Sequence, residues 1–129
     1  MPAGEAFTAD QRREIEKAVH EADRISGREF SVHVGSSGGD SRRMAERMHS
    51  ELPRPGNSIL IHVDPVQRTL EIVTGDSAQH SLSSRQVALA ALTMQSAFST
   101  GDLARGLRAG IVQLAQLAVP VTSLHTDTP

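Results

Sequence analysis

Cysteine, tryptophan and tyrosine do not occur among the 129 residues of this chain. The lack of cysteine excludes a disulfide scaffold and a metal site built on thiolates. The formal net charge is only -2, which argues against nucleic acid as a partner, because binding phosphates favours a basic surplus. No apolar run reaches the roughly 20 residues that a membrane-spanning helix needs, so the sequence predicts no membrane span.

The composition is typical of a folded globular protein, with 38% hydrophobic and 22% charged residues. A chain of this length predicts one domain, which we place at residues 7–120. We expect residues 1–6 to form a flexible leader and residues 121–129 a flexible tail. Because no signal peptide is recognisable in the sequence as given, we expect a cytoplasmic location or one peripheral to a membrane.

The best-specified stretch is a β-hairpin. Two β-branched runs, Asn57–Val63 and Thr69–Gly75, flank the turn residues Asp64–Arg68. An earlier strand is predicted over Glu29–Gly35 because apolar and polar residues alternate there. One face of the resulting sheet is uniformly apolar and needs helices over it, whereas the other face is mixed and is expected to be only partly covered.

Four helices accompany the three strands. Helical spacing predicts them at Ala9–Ser26, Ser41–Leu52, about Ser84–Ser99 and about Leu103–Ala118. The second helix is expected to bury Met44, Met48 and Leu52. The order α-β-α-β-β-α-α makes strands one and two parallel and strand three antiparallel, which predicts a three-layer α/β/α sandwich with a small mixed sheet.

The predicted pairing brings three loops to one end of the sheet. Strands one and two begin where strand three finishes. The segments Gly27 to Glu29, Gly56 to Ser58 and Gly75 to Ser77 are therefore expected to lie together.

Several stretches share a resemblance to a known family. They are Ser26–Val34, Asn57–Asp64, Gln67–Gly75 and Phe98–Gly106. In this order the chain from Phe7 to about Ala118 resembles the TPM domain of thylakoid-lumen photosystem repair proteins and bacterial exported proteins. The similarity is greatest to a branch typical of GC-rich Gram-positive bacteria. It implies an α/β/α sandwich, and it suggests acid phosphatase activity and calcium as a cofactor.

The resemblance points to four oxygen ligands for a divalent metal ion, namely Glu29, Asn57, Asp76 and Asp102. Calcium usually takes about six to eight oxygens, and this chain keeps few of the acidic residues that the family carries. The structural interpretation is favoured, in which Asp102 caps the fourth helix and Asp76 is a turn residue.

A second candidate group is His33, His62 and Glu71. Strand alternation places all three on the mixed face of neighbouring strands, where they would suit Zn²⁺ binding or general-base catalysis. The favoured alternative is a half-exposed sheet face that tolerates polar residues. The loop Ser36–Asp40 opens a helix and could hold a phosphate, but a plain connection fits its composition better.

The sequence therefore favours a noncatalytic TPM-like accessory or protein-binding domain near the cell envelope. The expected binding region is the loop end formed by Gly27, Asn57 and Asp76, and the partner is another protein. The alternative is a calcium-dependent acid phosphatase with Asp76 and Glu29 as metal ligands. No catalytic residue is assigned, and the oligomeric state is left open.

Overall fold

A computed structural model describes residues 7–119 of the chain. The elements are α1 (Ala9–Ser26), β1 (Glu29–Val34), α2 (Ser41–Ser50), β2 (Ser58–Asp64), β3 (Thr69–Thr74), α3 (Ser84–Thr100) and α4 (Leu103–Leu117). Short 3₁₀ turns cover Pro55–Asn57 and Ala78–His80. The predicted element order and the α/β sandwich are confirmed. The predicted leader at residues 1–6 and tail at 121–129 lie outside the described residues.

The sheet has the order β1-β2-β3, with β1 parallel and β3 antiparallel to β2. Glu29 lies opposite Ser58, and Ile59 lies opposite Thr74. The Gly75 N–H donates to the Ser58 carbonyl at 2.9 Å. The start of β1, the start of β2 and the finish of β3 therefore meet at one end of the sheet, as predicted.

Three helices cover the apolar face of the sheet. α1, α3 and α4 share one core with the sheet residues Phe30, Ile59, Ile61, Val63, Leu70 and Ile72. Glycines allow α3 and α4 to approach closely, since a Cβ built on Gly110 would lie 2.2 Å from the Met94 side chain. Within the described residues, no helix combines the length and apolar character needed to cross a membrane.

Among the described elements, α2 covers the mixed face, and the predicted buried line of this helix was wrong. The helix buries Ser41, Ala45 and His49 instead of the predicted line of Met44, Met48 and Leu52, of which Met48 and Leu52 only flank a small cluster. Because the side chains of Ser41 and Ala45 are small, this face of the helix lies close to the sheet. β2 is consequently buried along its whole length.

Candidate functional site

The predicted loop end is filled by Arg28, whose side chain is buried. Its guanidinium donates to Asn57 Oδ1 at 2.8 Å and to the hydroxyls of Ser77 and Ser81 at 3.1 Å each. Arg28 Nε donates to the carbonyl of Ala118 at 3.2 Å, just beyond α4. The positive group lies at the negative end of the α4 dipole. Arg28 therefore ties the sheet end to the last helix.

The four predicted calcium ligands do not form one site. Glu29 pairs with Arg54, with Arg54 Nε at 2.9 Å, and Asp76 is exposed. Asn57 uses its Nδ2 to donate to the Gly27 carbonyl at 3.0 Å, while Oδ1 accepts from Arg28. Two of the ligands are thus engaged elsewhere.

Asp102 lies away from the other three, so its place in the ligand set was wrong. Its side chain accepts from the Arg105 N–H at 3.2 Å and caps the start of α4. The 15 residues of α4 separate it from the Arg28 end, and at 1.5 Å per residue they span about 22 Å. Within residues 7–119, no three His, Cys, Asp or Glu side chains are grouped to hold a metal ion.

Two members of the second predicted group come together. His33 lies opposite His62, and His62 lies opposite Glu71 in the sheet. The two Nδ1 atoms are 3.1 Å apart. The Glu71 carboxylate instead faces Arg42, whose Nη1 is 3.5 Å away. The histidines therefore form a pair without the carboxylate.

A chain of hydroxyls continues from the histidine pair beneath α2. His62 Nε2 is 2.8 Å from Ser37 Oγ, and Ser37 Oγ is 3.1 Å from Ser41 Oγ. Ser41 Oγ is in turn 2.7 Å from Thr69 Oγ1. Ser37 is a residue that the sequence analysis did not single out. The pattern Gly35-Ser36-Ser37-Gly38-Gly39 between a strand and a helix was the available signal.

The same region holds a buried carboxylate. Asp64 accepts from the backbone N–H groups of Ser37, Val66 and Gln67 at 2.8 to 3.0 Å. Burial raises the pKa of Asp64, but these backbone hydrogen bonds and one from the Ser37 side chain outweigh it and leave the pKa below its usual value. Burial, followed by the neighbouring His33, lowers the pKa of His62. Both effects favour the neutral form of His62.

The outer edge of β1 is open. Gly35 donates its N–H to Val63 in β2 at 2.9 Å, and because backbone groups alternate in direction, those of Phe30, Val32 and Val34 point away from β2. The Phe30 N–H is capped by Asp23 Oδ1 at 2.8 Å. Among the described residues, the outward groups of Val32 and Val34 have no hydrogen-bond partner.

An apolar groove runs beside this open edge. It has a volume of about 600 Å³ and lies between β1 and residues 12–20 of α1. Apolar side chains line its floor, and charged or polar ones line its rim. The lining residues are Phe7, Ile15, Val19, Val32 and Val34, with Arg12, Glu16 and His20.

The opposite edge, along β3, has two of its outward carbonyls capped by side chains. The outward carbonyl of Ile72 accepts from Arg42 Nη1 at 2.9 Å. The outward carbonyl of Thr74 accepts from Gln79 Nε2 at 3.0 Å. The two edges of one sheet thus differ in the availability of their backbone groups.

Together these features define a small α/β sandwich domain whose β1 edge carries unpaired backbone groups beside an apolar groove. Residues 1–115 match the domain of unknown function DUF5130, and the chain belongs to this family. The uncharacterized proteins Rv2468c and MT2543 from two strains of Mycobacterium tuberculosis are each 29% identical to it over 91 residues. This match covers 70% of the chain and 54% of each relative, so the chain spans about half the length of these curated relatives.

Solved structures share the fold. The BA42 protein from the psychrophilic bacterium Bizionia argentinensis has a TM-score of 0.77 at 20% identity, with 95% of this chain and 90% of that one covered. The N-terminal domain of a protein from P. gingivalis has a TM-score of 0.69 at 19% identity, with 86% and 75% covered. At these identities the likeness concerns the fold alone. The resemblance to the TPM domain, with its calcium and phosphatase expectations, stays a prediction.

Proposed function

We propose that this chain is an accessory domain that binds an extended segment of a partner protein along the outer edge of β1. The observation that carries the proposal is the pair of outward-facing residues Val32 and Val34, whose backbone groups are unpaired among the described residues beside an apolar groove. An added strand takes its affinity from main-chain hydrogen bonds and its specificity from pockets for alternate side chains.

The residues that line the groove predict the sequence pattern of the bound segment. Side chains on one face of a strand recur at every second residue. A partner strand paired with Val32 and Val34 would therefore place alternate apolar side chains over Ile15 and Val19 of α1. The intervening polar residues would face the other side of the sheet, and the rim residues Arg12 and Glu16 would favour a segment with few net charges.

The length of the relatives supports an accessory role. The Mycobacterium tuberculosis proteins extend well beyond the part that matches this chain. A domain that forms about half of a longer protein is suited to act together with the other segments of that protein. We also propose a location near the cell envelope, and this part of the proposal rests on the resemblance to TPM domains alone.

The loop end formed by Gly27, Asn57 and Asp76 has less support as the binding region. Arg28 occupies its interior and uses Asn57 as an acceptor. A calcium-dependent phosphatase at that end is also less supported, because Glu29 already pairs with Arg54. The open β1 edge is the better candidate.

A peptide-display library tests the proposal. The full chain serves as bait, and the selected peptides are assayed against Val34→Lys and against Leu92→Lys, a control on the exposed face of α3 where Leu92 is 65% exposed. A lysine on the edge places a charge where the added strand must lie. We expect the selected peptides to have alternating apolar residues. Their affinity should fall at least about 10-fold, or 1.4 kcal/mol, for Val34→Lys and should not change for Leu92→Lys.

Two results would contradict the proposal. One is a library that yields no binder to the wild-type chain. The other is a set of binders that are weakened by Leu92→Lys and not by Val34→Lys, which would place the docking surface on α3.

A further inference from the structure

Ser37 lies in a strand-turn-helix segment. It follows β1, precedes α2, and forms the centre of the Gly35-Ser36-Ser37-Gly38-Gly39 sequence. A serine between two glycines at such a turn is the arrangement that exposes a nucleophile above a sheet. Gly38 has a φ of +71°, so the turn takes its left-handed residue one position after the serine.

A base lies within hydrogen-bond reach of this serine. Ser37 Oγ is 2.8 Å from His62 Nε2, and His62 Nδ1 is 3.1 Å from His33 Nδ1. In the tautomer with its proton on Nδ1, His62 donates to His33 and accepts from the Ser37 hydroxyl. A nucleophile, a base and a group that orients the base are the three parts of an activated serine.

A hydroxyl donor lies next to the serine, at the start of α2. The Ser41 hydroxyl is 3.1 Å from Ser37 Oγ, and Ser41 is the first residue of α2. Among the described residues, the backbone N–H groups of Ser41 and Arg42 have no acceptor, while the Arg43 N–H donates to the capping Asp40 carboxylate at 3.0 Å. The start of a helix favours negative charge, and preorganised donors stabilise an oxyanion.

We propose that Ser37 is a nucleophile that accepts the acyl group of carboxylic esters, with His62 as its base and His33 as a positioning residue. Ser37 Oγ forms a bond to the carbonyl carbon while its proton moves to His62 Nε2. The carbonyl π electrons move to the oxygen, which faces the first turn of α2. Collapse then expels the alcohol, which takes the proton from His62. Water releases the acyl group by the same sequence of steps.

This inference does not rest on partner binding. The β1 edge and its groove lie on the α1 face of the sheet, whereas Ser37 and His62 lie beneath α2. Failure of the peptide experiment therefore leaves the serine proposal intact, and the reverse also holds.

Labelling of the full chain with a fluorophosphonate tests the nucleophile. Intact-mass measurement should show one adduct on the wild-type chain and on Ser36→Ala, a control in the same loop, and none on Ser37→Ala. Circular dichroism checks that both variants keep the fold. A wild-type chain without an adduct, or an adduct that persists in Ser37→Ala, would overturn the proposal.

A cysteine-based measurement tests the base without substituting buried His62. The chain has no cysteine, so Ser37→Cys and Ser36→Cys each carry a single thiol. If His62 activates position 37, iodoacetamide should alkylate Ser37→Cys at least about 10-fold faster at neutral pH, because a lowered thiol pKa raises the thiolate fraction. Equal or slower alkylation of Ser37→Cys than of the more exposed Ser36→Cys would overturn the proposal.

The role of His33 is tested in the Ser37→Cys chain. His33→Asn retains an oxygen acceptor near the position of Nδ1, whereas His33→Leu removes it. The alkylation rate should stay within about 3-fold in His33→Asn and fall about 10-fold in His33→Leu, in line with loss of an orienting hydrogen bond. Equal rates in the two variants would show that His33 does not position His62.

Discussion

The two edges of the three-stranded sheet differ in which outward backbone groups are capped by side chains. On β3, Arg42 and Gln79 cap the outward carbonyls of Ile72 and Thr74. On β1, the one outward group that is capped within residues 7–119 is the Phe30 N–H, which donates to Asp23. Unpaired strand edges invite pairing with another chain, and proteins usually block them. This difference shows that side chains outside the sheet set how many backbone groups each edge offers to a partner.

The open edge is also short. Because Asp23 accepts from the Phe30 N–H, the outward N–H groups of β1 that stay unpaired within residues 7–119 are those of Val32 and Val34. Charged residues at the rim of the groove further limit unspecific association. This edge is therefore suited to one extended segment more than to stacking of many copies.

The largest effect should come from breaking the tight end of β3. A Cβ built on Gly75 would lie 2.0 Å from the Pro55 carbonyl oxygen and 2.4 Å from that of Gly56. Gly75→Ala should therefore lower the free energy of unfolding by about 1–3 kcal/mol, as measured by urea denaturation. Gly39→Ala is the control, since nothing lies within 4 Å of its Cβ. Equal stability of the two variants would show that β3 is not tightly held.

A smaller effect should follow from opening the β3 edge. Arg42→Ala removes the cap on the Ile72 carbonyl and should cost about 1 kcal/mol of unfolding free energy. It should also increase self-association, detectable by light scattering. The matched control is Arg47→Ala on the same helix, whose guanidinium contacts only the Met44 sulfur in the described structure. The comparison of the edges fails if Arg42→Ala associates no more than Arg47→Ala.

Acid should lower the free energy of unfolding in two steps, through His62 and then Asp64 beneath α2. Burial holds the pKa of His62 below its usual 6.5, so the unfolded chain takes up a proton first and stability falls as the pH drops from about 6.5. Hydrogen bonds hold the pKa of Asp64 below 3.8, so its contribution is lost only at lower pH. Urea denaturation at about pH 7.5 and 5.5 checks the first step. Greater stability at the lower pH would contradict it.

Much of the fold could be predicted because its signals are local. The capping box of Thr8 and Gln11 begins α1 where expected, and Gly27 ends it. The hairpin follows from its turn residues and β-branched runs. The buried face of α2 could not be predicted in this way, because it depends on how closely Ser41 and Ala45 approach the sheet.

The sites were predictable only in part. Strand alternation correctly placed His33 beside His62, since it needs only the pairing of β1 with β2. Burial of Arg28 and capping of a strand edge by Arg42 depend on contacts between residues distant in sequence. Ser37 was missed although its glycine pattern is visible in the sequence.

Hydrogen exchange at individual amides tests the open β1 edge most directly. In the free full chain, the outward N–H groups of Val32 and Val34 should exchange faster than the inward N–H groups of Ser31 and His33. Addition of a peptide selected from the display library should slow exchange at Val32 and Val34. Slow exchange at both valines in the free chain, or added protection confined to α3, would contradict the claim that this edge receives a partner strand.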